Sequence, residues 1–233
     1  MPTMEEFANY EHGRLLESLI YLNRPKVILE IGVAEAHATQ WLCSGAKAVG
    51  GKVFGYDSWT VHGLMKQFNS AGNQQSCTAW LNSKGYDDSV FELTTVDSQS
   101  SEFAGLIKTK HPVIDFAFID GCHSYIGAKT DFDNVYPLLS PGGIIVFHDT
   151  LRIDGCRELM IDLRTTLNDG TYDIIDFPWG NADRRVGVSM LVKRTYPVLG
   201  LGIDEQCNLD NHYDDIYKKE QDWYQSELKR YSK

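Results

Sequence analysis

Apolar positions along this chain follow two rhythms. Short apolar runs, expected as buried strands, occur at Lys26–Gly32, Lys52–Asp57, Phe91–Ser98, Ile114–Ile119, Gly143–Phe147, Tyr172–Phe177 and Val186–Val192. Between them, apolar residues return every three or four positions, as on one face of a helix. Leu15, Leu16, Leu19 and Ile20 mark a helix within Met4–Leu22, ended by Asn23-Arg24-Pro25. A second helix runs through Trp41, Leu42 and Ala46, and a third ends near Lys110. Tyr125, Ala128, Phe132, Val135 and Leu139 form a stripe that Ser140-Pro141-Gly142-Gly143 is expected to stop and turn into the next strand. Leu159, Leu163 and Leu167 place another helix over Asp154–Leu167.

Strands alternating with helices predict an α/β fold built on a mostly parallel sheet. The last two strands flank a short loop of Pro, Trp, Gly and Asn, which favours an antiparallel pair. Polar residues gather where the strands end: Glu30 and Gly32, Asp57, Asp97 and Ser98, Asp120 and His123, then His148, Asp149 and Thr150. Open α/β sheets bind ligands at that carboxyl edge, so these tips are the candidate site.

With 233 residues and no Pro/Ser-rich linker, the chain reads as one domain with additions at both ends. Residues 1–25 form a helical cap, 26–194 the core, and 195–233 a helical extension. Within the core, 58–89 is polar and aromatic by turns and too long for a plain connection, so it is expected to form a helical lid or substrate wall. Tyr213, Tyr217, Tyr224, Leu228 and Tyr231 give the extension an aromatic stripe suited to docking on the body or on a second subunit, and a homo-oligomer through terminal helices is the corresponding expectation.

Charge narrows the choice of partner. Acidic residues outnumber basic ones 32 to 22, a net charge of -10, and no Lys/Arg run occurs, which argues against a nucleic-acid substrate. The five cysteines are odd in number, widely spaced and lack a CxxC pair, so neither a disulfide framework nor a zinc site is expected. Met1–Phe7 is acidic, without a basic segment leading into an apolar one, and no apolar run approaches the roughly 18 residues that span a membrane. A soluble, cytoplasmic protein acting on a small molecule is the expectation.

The strand ends, together with FIDGCHSY (118–125) and SPGGIIVFHDT (140–150), resemble the class I S-adenosylmethionine-dependent O-methyltransferases. The resemblance runs from about Lys26 to Arg194 and is closest to the small-molecule group of macrocin and cephalosporin-biosynthesis type, with catechol-type enzymes more distant. It implies a Rossmann-like fold with helices on both faces of a seven-stranded, mostly parallel sheet of order 3-2-1-4-5-7-6, the last strand antiparallel.

It also implies roles. Gly32 would let the backbone lie beneath the cofactor, and Glu30 would orient that loop or meet the amino group. Asp57 would take the ribose diol, and Asp97 and Ser98 the adenine edge, with Asp120 bordering the same cofactor site. Ala36 and His37 stand where many relatives have glycines. For the acceptor half, Asp120 and Asp149 match positions that hold a divalent cation, Mg²⁺ or Mn²⁺, in metal-dependent relatives. His148 replaces an acid as the third ligand, and Thr150 is an alternative oxygen donor. His123, three residues after Asp120, falls where catechol-type relatives carry a catalytic base, and His148 is the second candidate.

The implied activity is methyl transfer to a hydroxyl of a sugar, polyketide or phenolic metabolite, and Trp59, Trp179, Arg184 and Arg185 could border its pocket. Two other classes are compatible with the pattern: a methyltransferase-like domain that binds without turnover, and a nicotinamide-dependent oxidoreductase. The second is disfavoured because Val33–Ala38 lacks the later glycines that let a backbone approach pyrophosphate.

Overall fold

A computed structural model of the chain describes residues 11–60, 72–177 and 187–195. The start of the first predicted helix, part of 58–89, Trp179, Arg184, Arg185 and the aromatic stripe beyond residue 195 lie outside the described residues.

The described elements, in chain order, are α1 (Glu11–Asn23), β1 (Val27–Ile31), α2 (His37–Val49), β2 (Lys52–Asp57), α3 (Gln74–Ser83), β3 (Phe91–Thr95), α4 (Phe103–Lys110), β4 (Ile114–Ile119), α5 (Tyr125–Val135), β5 (Leu139–His148), α6 (Asp154–Arg164), β6 (Tyr172–Phe177) and β7 (Val188–Lys193). The strands form one sheet of order β3-β2-β1-β4-β5-β7-β6. Neighbours among β1 to β5 are parallel, and β7 runs antiparallel to both β5 and β6. This is the architecture that the motifs implied.

Alternate residues of each strand feed two cores, because side chains leave a strand on opposite faces. Ile28, Val53, Phe116, Phe118, Val146 and Met190 pack under α1, α2 and α3. Leu29, Ile31, Ala117, Ile119, Ile145 and Leu191 pack under α4, α5 and α6. Leu16 and Ile20, both fully buried, seat α1, and each contributes about 1.5–3 kcal/mol by leaving water.

Three boundaries differ from the pattern reading. The α5 helix ends at Val135 and gives way to a tight turn, Tyr136–Leu138, containing Pro137, which cannot continue an α-helical hydrogen-bond ladder. Leu139 therefore belongs to β5, where it pairs with Ile114. The register then jumps to Phe116 opposite Ile144, so Ser140–Gly143 bulge out of a strand instead of turning into one. Similarly, α6 stops at Arg164, and the hydroxyl of Tyr172 donates to the carbonyls of Leu163 and Leu167, leaving Leu167 outside the helix and 36% exposed. Finally, β3 ends at Thr95, so Asp97 and Ser98 lie on the turn beyond it.

Registers align the strand tips. Ile31 pairs with Tyr56 on one side and Ile119 on the other, and Ile119 pairs with Phe147. The residues that follow, Gly32, Asp57, Asp120 and His148, therefore emerge along one edge.

Candidate active site

The first half of that edge is a backbone cradle. Gly32 has φ +89°, and a Cβ there would meet the carbonyl oxygen of Asp120 at 2.2 Å, so β1 and β4 exit in direct backbone contact. The amide of Asp120 donates to Ile31 at 2.8 Å, and that of Gly32 to Tyr56 at 2.9 Å. Asp57 braces the turn: its Oδ2 accepts from the amides of Val33 and Ala34, both at 2.8 Å, and its Oδ1 from Trp59 at 2.6 Å. Ala34 and Ala36 complete the turn at φ 49° and 63°, left-handed conformations that glycine would adopt without strain. Trp59 Nε1 and Cys77 Sγ both donate to the Ala34 carbonyl, and Trp80 of α3 packs on the adjoining core, so part of the predicted 58–89 wall abuts this turn.

Beneath the cradle lies Glu30, fully buried beside the Thr39 hydroxyl, and among the described residues neither carboxylate oxygen has a well-formed hydrogen bond. Burial pushes its pKa up to about 8; the Thr39 hydroxyl offsets part of this, and the nearby Asp120 and Asp57 charges add to it. Asp97 caps its own turn, accepting from the amide of Gln99 at 2.9 Å. Ser98 accepts from the Gln99 side chain at 3.1 Å, and Gln99 reaches on to Asp131 of α5 at 2.8 Å. Asp131 is fully buried, and its Oδ2 lacks a hydrogen-bond partner among the described residues. Burial raises its pKa to about 7, with Ser98 and Gln99 opposing.

The second half is a knot of acids and imidazoles. Oδ1 of Asp120 lies 3.1 Å from His123 Nε2 and 3.2 Å from His148 Nδ1. His123 reaches across to Asp149, its Nδ1 3.6 Å from Oδ2. Asp149 sits at φ 58°, and its buried Oδ1 has no hydrogen-bond partner among the described residues. Although burial alone would raise the pKa of Asp120, the two imidazoles hold it well below the usual carboxylate range. The bond to Asp120 raises His123, while His148, despite its burial, is pushed up to about 10 by Asp120 and Asp149. Ligand atoms of Asp120, His123 and Asp149 all lie within 4.8 Å of one another, a spacing one cation could bridge.

The two histidines, the candidate bases, are placed differently from each other. His123 faces outward, its side chain 37% exposed, between the two carboxylates. His148 is 7% exposed, and its Nε2 lies 3.3 Å from Nδ1 of His12 on α1. Thr150 is turned away from the knot, accepting a hydrogen bond from Ser189 at 3.0 Å.

Pattern reading passed over His12, Gln99 and Asp131. His12 follows no motif, whereas Asp131, an acid at a helix position facing the sheet, carried a weak signal as an unpaired polar residue beside Phe132.

A family model described as a methyltransferase domain matches residues 29–150, 122 of the 233. The chain belongs to the methyltransferase-domain family. The chain is 23% identical over 151 residues to an uncharacterized protein, y4gI, of Sinorhizobium fredii, and spans about 15% of that protein's length. Among solved structures, it resembles an O-methyltransferase from Bacillus cereus in complex with SAH (TM-score 0.60, 20% identity, 79% of this chain and 81% of that one). It also resembles cofactor-bound Rv0187 from MTB (0.62, 16%, 80% and 81%) and TomG from Streptomyces achromogenes, an O-methyltransferase of tomaymycin synthesis in complex with SAM (0.59, 17%, 79% and 80%). These likenesses bear out the expected fold, and among the described residues no helix is long and apolar enough to cross a membrane.

Proposed function

We propose that the chain transfers a methyl group from S-adenosylmethionine to a hydroxyl of a small molecule, with a divalent cation held by Asp120, His123 and Asp149. The observation that carries this reading is the adjacency of two half-sites, joined by the backbone contact of Gly32 with Asp120.

The residues present fit both groups. A ligand bearing an ammonium group would draw buried Glu30 into its ionised form, and Gly32, packed against the Asp120 carbonyl, keeps the tips of β1 and β4 together beside it. Asp57 uses three of its roughly four acceptor positions on backbone amides, so it has room for one ribose hydroxyl. Asp97, Ser98 and Gln99 offer polar groups for a base edge. In the second half-site, the unpartnered Oδ1 of Asp149 and the carboxylate–imidazole–carboxylate set suit Mn²⁺ or Mg²⁺, with imidazole favouring Mn²⁺.

The sulfonium cofactor supplies an electrophilic methyl group, and the cation supplies positive charge that lowers the pKa of an adjacent hydroxyl. Asp120 and Asp149 concentrate negative charge at that point, and His123, facing outward, orients the acceptor side. Gly32 and Glu30 fix the donor side, so the two reactants meet in a set geometry. Glu30 lies within β1, and Asp57 and His148 close β2 and β5, so the sheet would anchor both half-sites.

Calorimetric titration with S-adenosylhomocysteine, then with Mn²⁺, tests the reading. Saturable binding of each is expected; absence of nucleoside binding removes the activity, and nucleoside binding without Mn²⁺ binding removes the metal alone.

A further inference from the structure

We infer that His12 is a positioning residue of the metal centre, acting through His148 to hold Asp120. This rests on the metal reading above and deepens it by separating the three side chains that would meet the cation from two that would orient them.

Three observations carry the inference. First, the contacts form a line: His12 Nδ1 to His148 Nε2 at 3.3 Å, then His148 Nδ1 to Asp120 Oδ1 at 3.2 Å. Both nitrogens of His148 thus have neighbours that fix the ring, and the same Oδ1 of Asp120 faces His123. Second, the line is enclosed: His12 is 3% exposed and His148 7%, with the rings edge-to-face at 5.3 Å. A third ring, Phe118, backs His148 from the sheet at 6.0 Å. Third, the sequence spends small residues to bring α1 this close. Any Cβ on Gly13, the neighbour of His12, would lie 2.2 Å from the Trp41 ring, and one on Gly45 would meet Ile20 at 2.8 Å. The helix is thereby set against α2 at a depth where position 12 reaches the tip of β5.

A carboxylate that meets a cation works best when a second partner fixes its rotamer, and loss of such a partner typically costs about 10–100-fold in metal affinity. His148 fills that place for Asp120, and His12 fixes His148 in turn. The helix α1 is therefore part of the active centre and not merely a cover for the sheet.

The test uses the full chain loaded with S-adenosylhomocysteine and titrated with Mn²⁺, followed by calorimetry and by the Mn²⁺ electron paramagnetic resonance spectrum. His12→Phe should weaken Mn²⁺ about 10-fold or more and alter the spectrum while nucleoside affinity stays within about twofold. His12→Asn, whose amide can stand where Nδ1 stands, should restore binding to within about threefold, whereas His12→Gln, with its amide displaced by a methylene, should not. On a His148→Ala background, His12→Phe should have no further effect. Parent-like Mn²⁺ affinity in His12→Phe, equal weakness in the Asn and Phe variants, or an undiminished effect without His148 would each overturn the inference. A parent that binds the nucleoside but not Mn²⁺ would instead overturn the metal reading, and this inference with it.

Discussion

Oδ2 of Asp57 lies 2.8 Å from the amide nitrogen of Ala34, so the tip of the second strand holds the turn that follows the first. The same oxygen serves Val33, and Oδ1 serves Trp59. An acid expected to face a ribose is, in the folded chain, first the brace of the loop on which that ribose would rest.

Removing this brace should therefore cost both fold and ligand. Asp57→Ala leaves three amides without their side-chain acceptor, a loss on the order of 2–4 kcal/mol. We expect a lower melting temperature and at least tenfold weaker S-adenosylhomocysteine binding by calorimetry. Asp57→Asn, which keeps one acceptor oxygen, should fall between. A variant Asp57→Ala with parent-like stability would show that the turn is held by other contacts.

Ala34 offers the opposite experiment. It is exposed, with φ 49°, so its Cβ contributes little packing and carries left-handed strain of about 1–2 kcal/mol. Glycine relieves that strain but adds roughly 0.5–1 kcal/mol of unfolded-state entropy. The net expectation for Ala34→Gly is stabilisation of about 0.5–1 kcal/mol in urea unfolding; clear destabilisation would mean that the strain argument fails here.

Glu30 makes stability depend on pH. Burial lifts its folded pKa from 4.5 to about 8, so its neutral form belongs to the native state. Its contribution is fully present below about pH 4.5 and is lost as pH rises through about 8. At about 1.4 kcal/mol per unit, the full span is on the order of 4 to 5 kcal/mol. Glu30→Gln should remove this dependence, so its stability relative to the parent should rise steadily between pH 5 and pH 8.5. A constant difference across that range would place the titration elsewhere.

At the other half-site, Asp120→Ala and Asp149→Ala should each abolish Mn²⁺ binding. They should differ in stability. Losing Asp120 strips His123 and the enclosed His148 of a shared partner at 3.1 and 3.2 Å, costing about 3–5 kcal/mol, whereas losing Asp149 removes a carboxylate that stands farther from the same two rings, at 3.6 and 3.7 Å, and costs less. Denaturant titrations of the two variants should separate by more than 1 kcal/mol. Equal stabilities would contradict the central place given to Asp120.

Where the sequence misled, a distant contact had overridden a local signal. Leu139 keeps the helical spacing of Phe132 and Val135, yet it enters β5 because Pro137 breaks the ladder and Ile114 offers a strand partner. Leu167 continues the stripe of Leu159 and Leu163, but the Tyr172 hydroxyl takes the carbonyls at the helix end.

What the sequence determined by itself was the alternation of buried strands and one-faced helices, and the polar residues with which strands end. Both are written in spacings of two to four positions, the range over which burial constrains neighbours along a backbone. Only the tertiary structure decided how those ends are used. It directed Asp57 to amides of a neighbouring turn, faced His123 outward and His148 inward, and brought His12 to β5 across 136 positions. Such pairings depend on strand register and on how deeply one helix sinks against another, and no local pattern encodes either.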